Sequence, residues 1–136
     1  MPSGPKYDGV VAKAKLARRN AYAPYSGVKI GAAVLTSDGA MFTGANIENA
    51  SYGLSCCAER NAIFRAVSEG HDDIEAIAIV GRSEEFTRPC GACRQVMVEF
   101  NPRMKVLRRG LDGSSSDTTA ERLLPGQFKP PGLAKR

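Results

Sequence analysis

Two runs of apolar residues, VKIGAAVLT (28–36) and IEAIAIVG (74–81), constrain the fold of this chain more than any other feature. Both have the length of a strand and are apolar nearly throughout, so each predicts a strand buried inside a sheet. SDGA (37–40) is a turn signal, and MFTGANI (41–47) predicts a strand that returns beside the first. A hairpin followed by a second buried strand is therefore the frame of the predicted sheet.

Three other segments predict helices. The pattern of apolar and basic residues from Lys6 to Asn20 indicates an amphipathic helix. A second helix is predicted over 57–70, with Gly70 as its C-cap, and a third over 91–100, where Asn101-Pro102 stops it. With MKVLRR (104–109) as a further strand, this order of elements predicts an α/β protein, a three-layer α/β/α sandwich with a mixed sheet.

The two ends of the chain predict little regular structure. DGSSS (112–116) reads as a turn and ERLLP (121–125) as one helical turn, while residues 1–5 and 129–136 are expected to be flexible. A length of 136 residues, with no linker or internal repeat, predicts a single domain over 1–136.

The charge and the apolar runs of the chain limit which partners and which compartment we expect. The net charge of +5 is spread along the chain, so we expect a solvated surface and no nucleic-acid partner. No apolar run approaches the ~20 residues of a membrane span, and the N-terminus does not read as an export signal. We therefore expect a cytoplasmic protein whose four cysteines are reduced, with no membrane partner.

Cysteines stand at the start of both later helices, Cys57 in one and the pair Cys90 and Cys93 in the other. Cys90 and Cys93 lie one helical turn apart, the helix dipoles favour thiolates, and Cys57 can complete a three-sulfur zinc site. The spacing of the pair alone also fits a thioredoxin-like redox site. A redox pair is expected after the first βαβ strand, however, whereas this one comes late in the chain.

A catalytic zinc site keeps one position open, whereas a structural site is closed by four protein ligands. Cys56 faces away from its neighbour on a helix, and His71 lies beyond the helix end, so we expect an open position. Glu59 is then placed as a general acid/base that touches water without binding zinc. Arg60 is expected to bond the sulfurs and offset the excess charge of three thiolates.

These motifs together carry a resemblance. CAER (57–60) and PCGACRQV (89–96) fit the signature of zinc-dependent deaminases. With AYAPYS (21–26), NIENASYGL (46–54) and LLPGQF (123–128), the chain resembles the small homotetrameric cytidine deaminases over roughly residues 7–128. The resemblance implies a cytidine deaminase-like fold with a mixed five-stranded sheet and a homotetramer.

The resemblance also implies roles for single residues. Cys57, Cys90 and Cys93 would hold Zn²⁺, and Glu59 would carry protons. The other implied residues would bind substrate: Asn46 and Glu48 at the ribose 3′-hydroxyl, Ala58 at the base, Val28 on the pyrimidine face, Tyr52 at a subunit boundary and Phe128 in a neighbour's site. The family commonly has phenylalanine at the position of Val28, so this chain departs from the pattern there.

The implied reaction is the zinc-dependent hydrolytic deamination of cytidine or 2′-deoxycytidine to uridine or 2′-deoxyuridine in pyrimidine salvage. Val28 leaves a second substrate class open, a cytosine-nucleoside analogue or antibiotic. A polynucleotide editor is disfavoured because the carboxylate of Glu48, at the 3′-oxygen, would repel the phosphate of a continuing strand. A structural zinc or redox module without enzymatic activity is the remaining alternative.

Overall fold

A computed structural model describes residues 5–82 and 86–130. The helices and strands in chain order are α1 (Pro5–Ala17), β1 (Gly31–Thr36), β2 (Met41–Ala45), α2 (Ala58–Ser68), β3 (Ile74–Val80), α3 (Gly91–Phe100), β4 (Lys105–Arg109), β5 (Ser115–Thr119) and α4 (Ala120–Leu123). Short 3₁₀ turns occupy Arg18–Asn20 and Tyr52–Leu54.

The five strands form one mixed sheet in the order β2-β1-β3-β4-β5. Neighbouring strands are antiparallel except β3 and β4, which are parallel and are joined through α3. Helix α1 packs on one face of the sheet, and α2 and α3 cover the other. The predicted three-layer sandwich with a mixed sheet is confirmed.

The two faces of the sheet differ in the size of their side chains. Small residues, Ala33, Ala76 and Ala78, lie under α1, whereas Ile77 and Ile79 point toward α2 and α3. All five are fully buried. The alternation along β1 and β3 explains why both runs are apolar throughout, since each strand must satisfy a hydrophobic layer on either side.

The sequence-based prediction was wrong in the C-terminal part of the chain. Residues 112–116 are not simply a turn, because Ser115 and Ser116 already belong to the edge strand β5. Polar contacts with β4 hold that strand: Arg108 Nη2 donates to Ser116 Oγ at 2.8 Å, and Arg109 pairs with Asp117 at 2.5 Å. The expected strand at 28–36 begins only at Gly31, and the returning strand ends at Ala45.

Some predictions concern residues outside this description. Residues 1–4 and 131–136, expected to be flexible, and 83–85, in the expected polar loop, lie outside it. Pro5 already belongs to α1, whereas Lys129 and Pro130 have no regular structure. Within the described ranges, no helix is long and apolar enough to cross a bilayer.

Candidate active site and metal centre

Helices α2 and α3 begin in the same way. Cys57 is the N-cap of α2 and Cys90 the N-cap of α3, both with extended backbone, at φ −70° and ψ 154° and at φ −71° and ψ 169°. Neither thiol caps a backbone N–H group in the first turn of its own helix. Because an unused cap side chain can turn outward, both sulfurs are available to a common ligand at the positive ends of two helix dipoles.

The sulfurs of Cys57, Cys90 and Cys93 form a compact triangle. Cys57 Sγ lies 3.7 Å from Cys90 Sγ, and Cys90 Sγ lies 3.5 Å from Cys93 Sγ. Tetrahedral Zn²⁺ with Zn–S bonds of about 2.3 Å separates its sulfurs by about 3.8 Å, so this donor set fits zinc. Among the described residues, no fourth metal-ligand side chain joins these three, which accords with the prediction of three protein ligands.

Electrostatics favour a thiolate at Cys57. A hydrogen bond from the Cys93 thiol and another from the Arg60 guanidinium lower the pKa of Cys57 to about 5 against the effect of burial. Arg60 Nη2 donates to Cys57 Sγ at 3.4 Å. The arginine expected to offset thiolate charge is therefore in contact with a sulfur.

Glu59 is almost completely buried, with 3% of its surface exposed. Burial, helped by the nearby Cys57 thiolate, raises the pKa of its carboxyl to about 7, while hydrogen bonds from its own backbone N–H and from Cys93 oppose the shift. Because a general acid/base works best when its pKa lies near the operating pH, this carboxyl has the protonation range that proton transfer requires.

The side-chain amide of Asn46 makes hydrogen bonds to the backbone just before β1, where a neighbouring strand would otherwise pair. Ile30 N donates to Asn46 Oδ1, and Asn46 Nδ2 donates to Val28 O, both at 2.8 Å. The backbone beyond Asn46 then turns to new partners, since Ile47 and Cys56 exchange two backbone hydrogen bonds of 2.9 Å. The regular pairing of β1 and β2 therefore begins at Gly31 and ends at Ala45, and the segment before α2 lies beside residue 47 instead.

Glu48 holds the loop that faces this segment. Its Oε1 accepts from the backbone N–H groups of Tyr25 and Ser26, both at 3.0 Å, and its Oε2 accepts from Ser26 Oγ. The Ser26 hydroxyl, then its backbone N–H, holds the pKa of Glu48 below its ordinary value. The carboxylate is thus ionised and fixed in direction.

A cavity of about 280 Å³ brings these groups together. Most of the predicted site residues line it, namely Val28, Asn46, Glu48, Cys57, Ala58, Glu59 and Cys90. Its size is near the lower end for a small-molecule site. The pocket wall therefore includes the sulfurs of Cys57 and Cys90 and the carboxyl of Glu59. The amide of Asn46 and the carboxylate of Glu48 line the same pocket.

The structure also places four further residues that the sequence analysis named. Tyr52 and Phe128 are 76% and 72% exposed and do not line this cavity, so their expected roles toward a neighbouring subunit stay predictions. Cys56, expected to face away from Cys57, is half-buried and lines the pocket. His71 is half-buried against the Phe42 ring, 5.0 Å away between centroids.

Two supporting residues were not foreseen. Asn61 Nδ2 donates to Ala45 O at 2.8 Å, which ties α2 to the end of β2. Arg94 donates from Nε to Pro89 O at 2.8 Å and from Nη1 to Leu123 O at 3.0 Å, which fixes the approach to Cys90. Their partners are backbone carbonyls distant in sequence or in another element, so no local motif reveals them.

Comparison with known proteins agrees with this geometry. The family model described as the cytidine and deoxycytidylate deaminase zinc-binding region matches residues 6–108. The chain belongs to the cytidine deaminase family. The zinc-binding description of that region and the converging sulfurs of Cys57, Cys90 and Cys93 confirm zinc as the family's cofactor here.

Individual members of the family align over most of their length. The chain is 51% identical to a cytidine deaminase of Halalkalibacterium halodurans, over 88% of this chain and 91% of the relative. It is 46% identical to one from Sporosarcina psychrophila, over 92% and 93%. The crystal structure of a cytidine deaminase from Burkholderia pseudomallei is 47% identical, with a TM-score of 0.87, over 90% of this chain and 98% of that one.

Proposed function

We propose that this chain hydrolyses cytidine and 2′-deoxycytidine to uridine and 2′-deoxyuridine with release of ammonia, a reaction of pyrimidine salvage. The observation that carries the proposal is the buried carboxyl of Glu59 beside three zinc-compatible sulfurs, at the wall of a nucleoside-sized cavity. The cytidine deaminases that align with nearly the whole chain support it.

Cys57, Cys90 and Cys93 hold the metal in this proposal. Bound zinc supplies the Lewis acidity that makes water a nucleophile near neutral pH. Arg60 keeps its hydrogen bond to the Cys57 sulfur and offsets part of the charge of three thiolates. Zinc is a stronger Lewis acid when its ligands carry less negative charge. Arg60 would therefore affect the reaction indirectly, through the Cys57 sulfur.

Glu59 moves the protons. Its carboxylate accepts a proton from the attacking water and transfers it to N3 of the pyrimidine, which makes C4 electrophilic. A second proton then passes through the same carboxyl to the amino group, which leaves as ammonia. Burial excludes bulk water from Glu59, and a pKa of about 7 suits both directions of transfer.

Asn46 and Glu48 bind the sugar. The amide and the carboxylate line the same cavity and are already oriented, by Ile30 and Val28 in one case and by Ser26 in the other. Polar groups fixed in this way discriminate against ligands that lack the matching hydroxyl. The backbone at Ala58 and the side chain of Val28 contact the base.

The protein is proposed to work as a homotetramer. An exposed apolar surface near the pocket supports assembly; it comprises Tyr22, Tyr25, Ile47, Tyr52 and Leu54. Tyr25 and Tyr52 already contact edge-to-face, with centroids 6.1 Å apart. Tyr52 then supports the site at a subunit boundary, and Phe128 reaches into a neighbour's site. Sedimentation analysis of the zinc-loaded protein measures the assembly, and a monomer at micromolar concentration contradicts it.

The proposed partners are small nucleosides, in the cytoplasm. The free thiols support a reducing compartment, because zinc ligation needs unoxidised cysteines. The ionised Glu48 in the pocket supports exclusion of a nucleic-acid strand. Tight binding of a single-stranded oligonucleotide at physiological salt contradicts that exclusion.

The decisive experiment follows the absorbance change as purified protein converts cytidine, with zinc content measured in parallel. We expect about one zinc per chain and release of one ammonia per uridine. Glu59→Ala is expected to retain zinc and to lose activity by at least about 10²-fold. Glu99→Ala, an exposed glutamate on α3, is the matched control and should behave as the unmodified protein.

Substrate range is measured in the same assay with cytidine, 2′-deoxycytidine and a bulkier cytosine-nucleoside analogue. Dominant turnover of the analogue would favour the second substrate class named for Val28. A protein without zinc, or activity that survives Glu59→Ala, refutes the proposed function.

A further inference from the structure

A short loop at residues 25–28 lies between the groups proposed to bind the sugar and those proposed to bind the base. Two of its residues, Ser26 and Val28, line the cavity that Glu59 also lines. The chain turns at Gly27, where φ is +73°, and Ser26 Oγ accepts a hydrogen bond from Val28 N at 3.0 Å. The Ser26 hydroxyl is therefore held against the backbone of the residue proposed to contact the base.

The same hydroxyl bonds the carboxylate proposed to bind the sugar. Ser26 Oγ donates its proton to Glu48 Oε2, while Glu48 Oε1 accepts from the backbone N–H groups of Tyr25 and Ser26. A hydroxyl has one proton to donate and two lone pairs that accept, so the bonds to Glu48 and to Val28 N form at the same time. Ser26 therefore connects Glu48 to Val28 through a single oxygen atom.

The backbone of Val28 is held on both sides. Its N–H group bonds Ser26, and its carbonyl accepts from Asn46 Nδ2 at 2.8 Å. Glu48 thus acts on Val28 through Ser26, whereas Asn46 acts on it directly. The wall that faces the base and the two groups proposed to bind the sugar belong to one hydrogen-bonded unit, in which Ser26 is the link to Glu48.

The substrate makes this link matter. A nucleoside presents its base and its 3′-hydroxyl at a nearly fixed separation, because the furanose ring and the glycosidic bond allow only small changes. Groups that bind both ends must therefore lie at a matching separation before the substrate arrives. The side chain of Glu48 has several rotatable bonds and is only half-buried, so its position depends on its hydrogen bonds.

We propose that Ser26 is a positioning residue that fixes the Glu48 carboxylate relative to Val28 and thereby sets the selectivity of the site for nucleosides with a 3′-hydroxyl. The proposal rests on the proposed function, because Glu48 must bind the sugar and Val28 must contact the base. The Ser26 proton is already donated to Glu48, so Ser26 acts through that carboxylate and is not itself a ligand for the sugar. The expected consequence is an effect on KM more than on kcat, since Glu59 is not among the partners of Ser26.

The test compares cytidine with 3′-deoxycytidine, which lacks the hydroxyl proposed to meet Glu48, in the zinc-loaded protein. Ser26→Ala should lower the ratio of kcat/KM for cytidine to that for 3′-deoxycytidine at least about fivefold, mainly through a higher KM for cytidine. Ser26→Thr keeps the hydroxyl at an exposed position and should keep most of the ratio. Ser37→Ala removes an exposed hydroxyl that donates to Asp73 O at 3.4 Å, in the turn between β1 and β2, and should leave the ratio unchanged.

A double-mutant cycle separates positioning from a general effect on the fold. Once Glu48→Ala has removed the carboxylate, adding Ser26→Ala should change the ratio less than about twofold. A second loss as large as the first shows that Ser26 acts independently of Glu48 and overturns the proposal.

Two further outcomes also overturn it. The first is a ratio that Ser26→Ala leaves unchanged, including the case in which kcat/KM falls by the same factor for both substrates. The second is equal turnover of the two substrates by the unmodified protein. Failure of the proposed function gives a different result, because the unmodified protein then does not convert cytidine at all.

Discussion

Gly44 of β2 lies directly against the backbone of Ala62 in α2. A Cβ at residue 44 would come within 2.4 Å of Ala62 N and 2.6 Å of Ala58 O. Both contacts are with main-chain atoms, which cannot rotate away as a side chain can. The first turns of α2 therefore pack against a position that only glycine can occupy. These turns follow Cys57 and include Glu59.

Gly44→Ala is expected to destabilise the protein by about 1–3 kcal/mol, because α2 must move away from the sheet to admit one methyl group. Zinc affinity should fall as well, since the shift moves Cys57 relative to Cys90. Thermal unfolding and zinc competition measure the two effects. Gly53→Ala is the matched control, because no atom lies within 4 Å of its added Cβ. Equal stability of the two variants would contradict the close-packing argument.

Arg60→Gln should weaken catalysis and zinc affinity together, by about 10–100-fold, because the Cys57 sulfur loses its charged donor at 3.4 Å. Arg60→Lys retains the charge without the planar fork, so we expect an intermediate effect. Steady-state kinetics and competition with a chromophoric chelator give both quantities. Arg65→Gln, an exposed arginine on the same helix, serves as the control. Unchanged zinc affinity in Arg60→Gln would remove Arg60 from the proposed metal site.

Removal of the metal should lower thermal stability as well as activity. The sulfurs join residues that are 33 positions apart in the chain, at the starts of two helices, and this closure stabilises the folded state. Metal held at 1,000 times its dissociation constant contributes about 4 kcal/mol. We expect a chelator to lower Tm and added Zn²⁺, but not Mg²⁺, to restore it. A Tm that is insensitive to the chelator would show that the sulfurs bind no stabilising ion.

The stability that Glu48 contributes should depend on pH in a defined direction. Hydrogen bonds from Ser26 lower the pKa of this carboxyl from its ordinary 4.5, so the ionised form is favoured by folding. Its contribution is complete above pH 4.5 and is lost as the pH falls through the lower folded pKa.

Denaturant unfolding of the unmodified protein and of Glu48→Gln at pH 7 and near pH 3 checks this direction. The difference between the two proteins should shrink at the lower pH. A difference that grows on acidification would reverse the assigned sign.

The sequence predicted those parts of the fold whose signals are local. The apolar runs at 28–36 and 74–81 required burial, and the cysteines were correctly expected at two helix starts because an N-cap position can be read from a short segment. Strand β5 was missed because its residues, SSDTT, are polar and depend on pairing with β4. A polar edge strand of this kind has no regular spacing of apolar residues by which it could be predicted.

The site was predicted unevenly for the same reason. The sulfur cluster and Glu59 follow from spacing within two motifs. The cavity beside Glu59 brings Val28 together with Arg88, which are distant in sequence, and the described residues next to Arg88 have no regular secondary structure. Thr87 lies directly against Gly81 in the same region, a contact that no sequence periodicity predicts.

Asn46 and Glu48 are both proposed to bind the sugar, but they differ in their other contacts. The Asn46 side chain bonds the backbone of Ile30 and Val28 at the edge of the sheet, whereas the Glu48 side chain bonds Tyr25 and Ser26 in an exposed loop. The two residues therefore differ in how freely they can evolve. A replacement at Asn46 removes backbone partners from Ile30 and Val28 whatever it does for the ligand. A replacement at Glu48 costs contacts with Tyr25 and Ser26 at the surface. Changes in sugar preference within this lineage should accordingly arise through position 48, while position 46 stays fixed by the architecture.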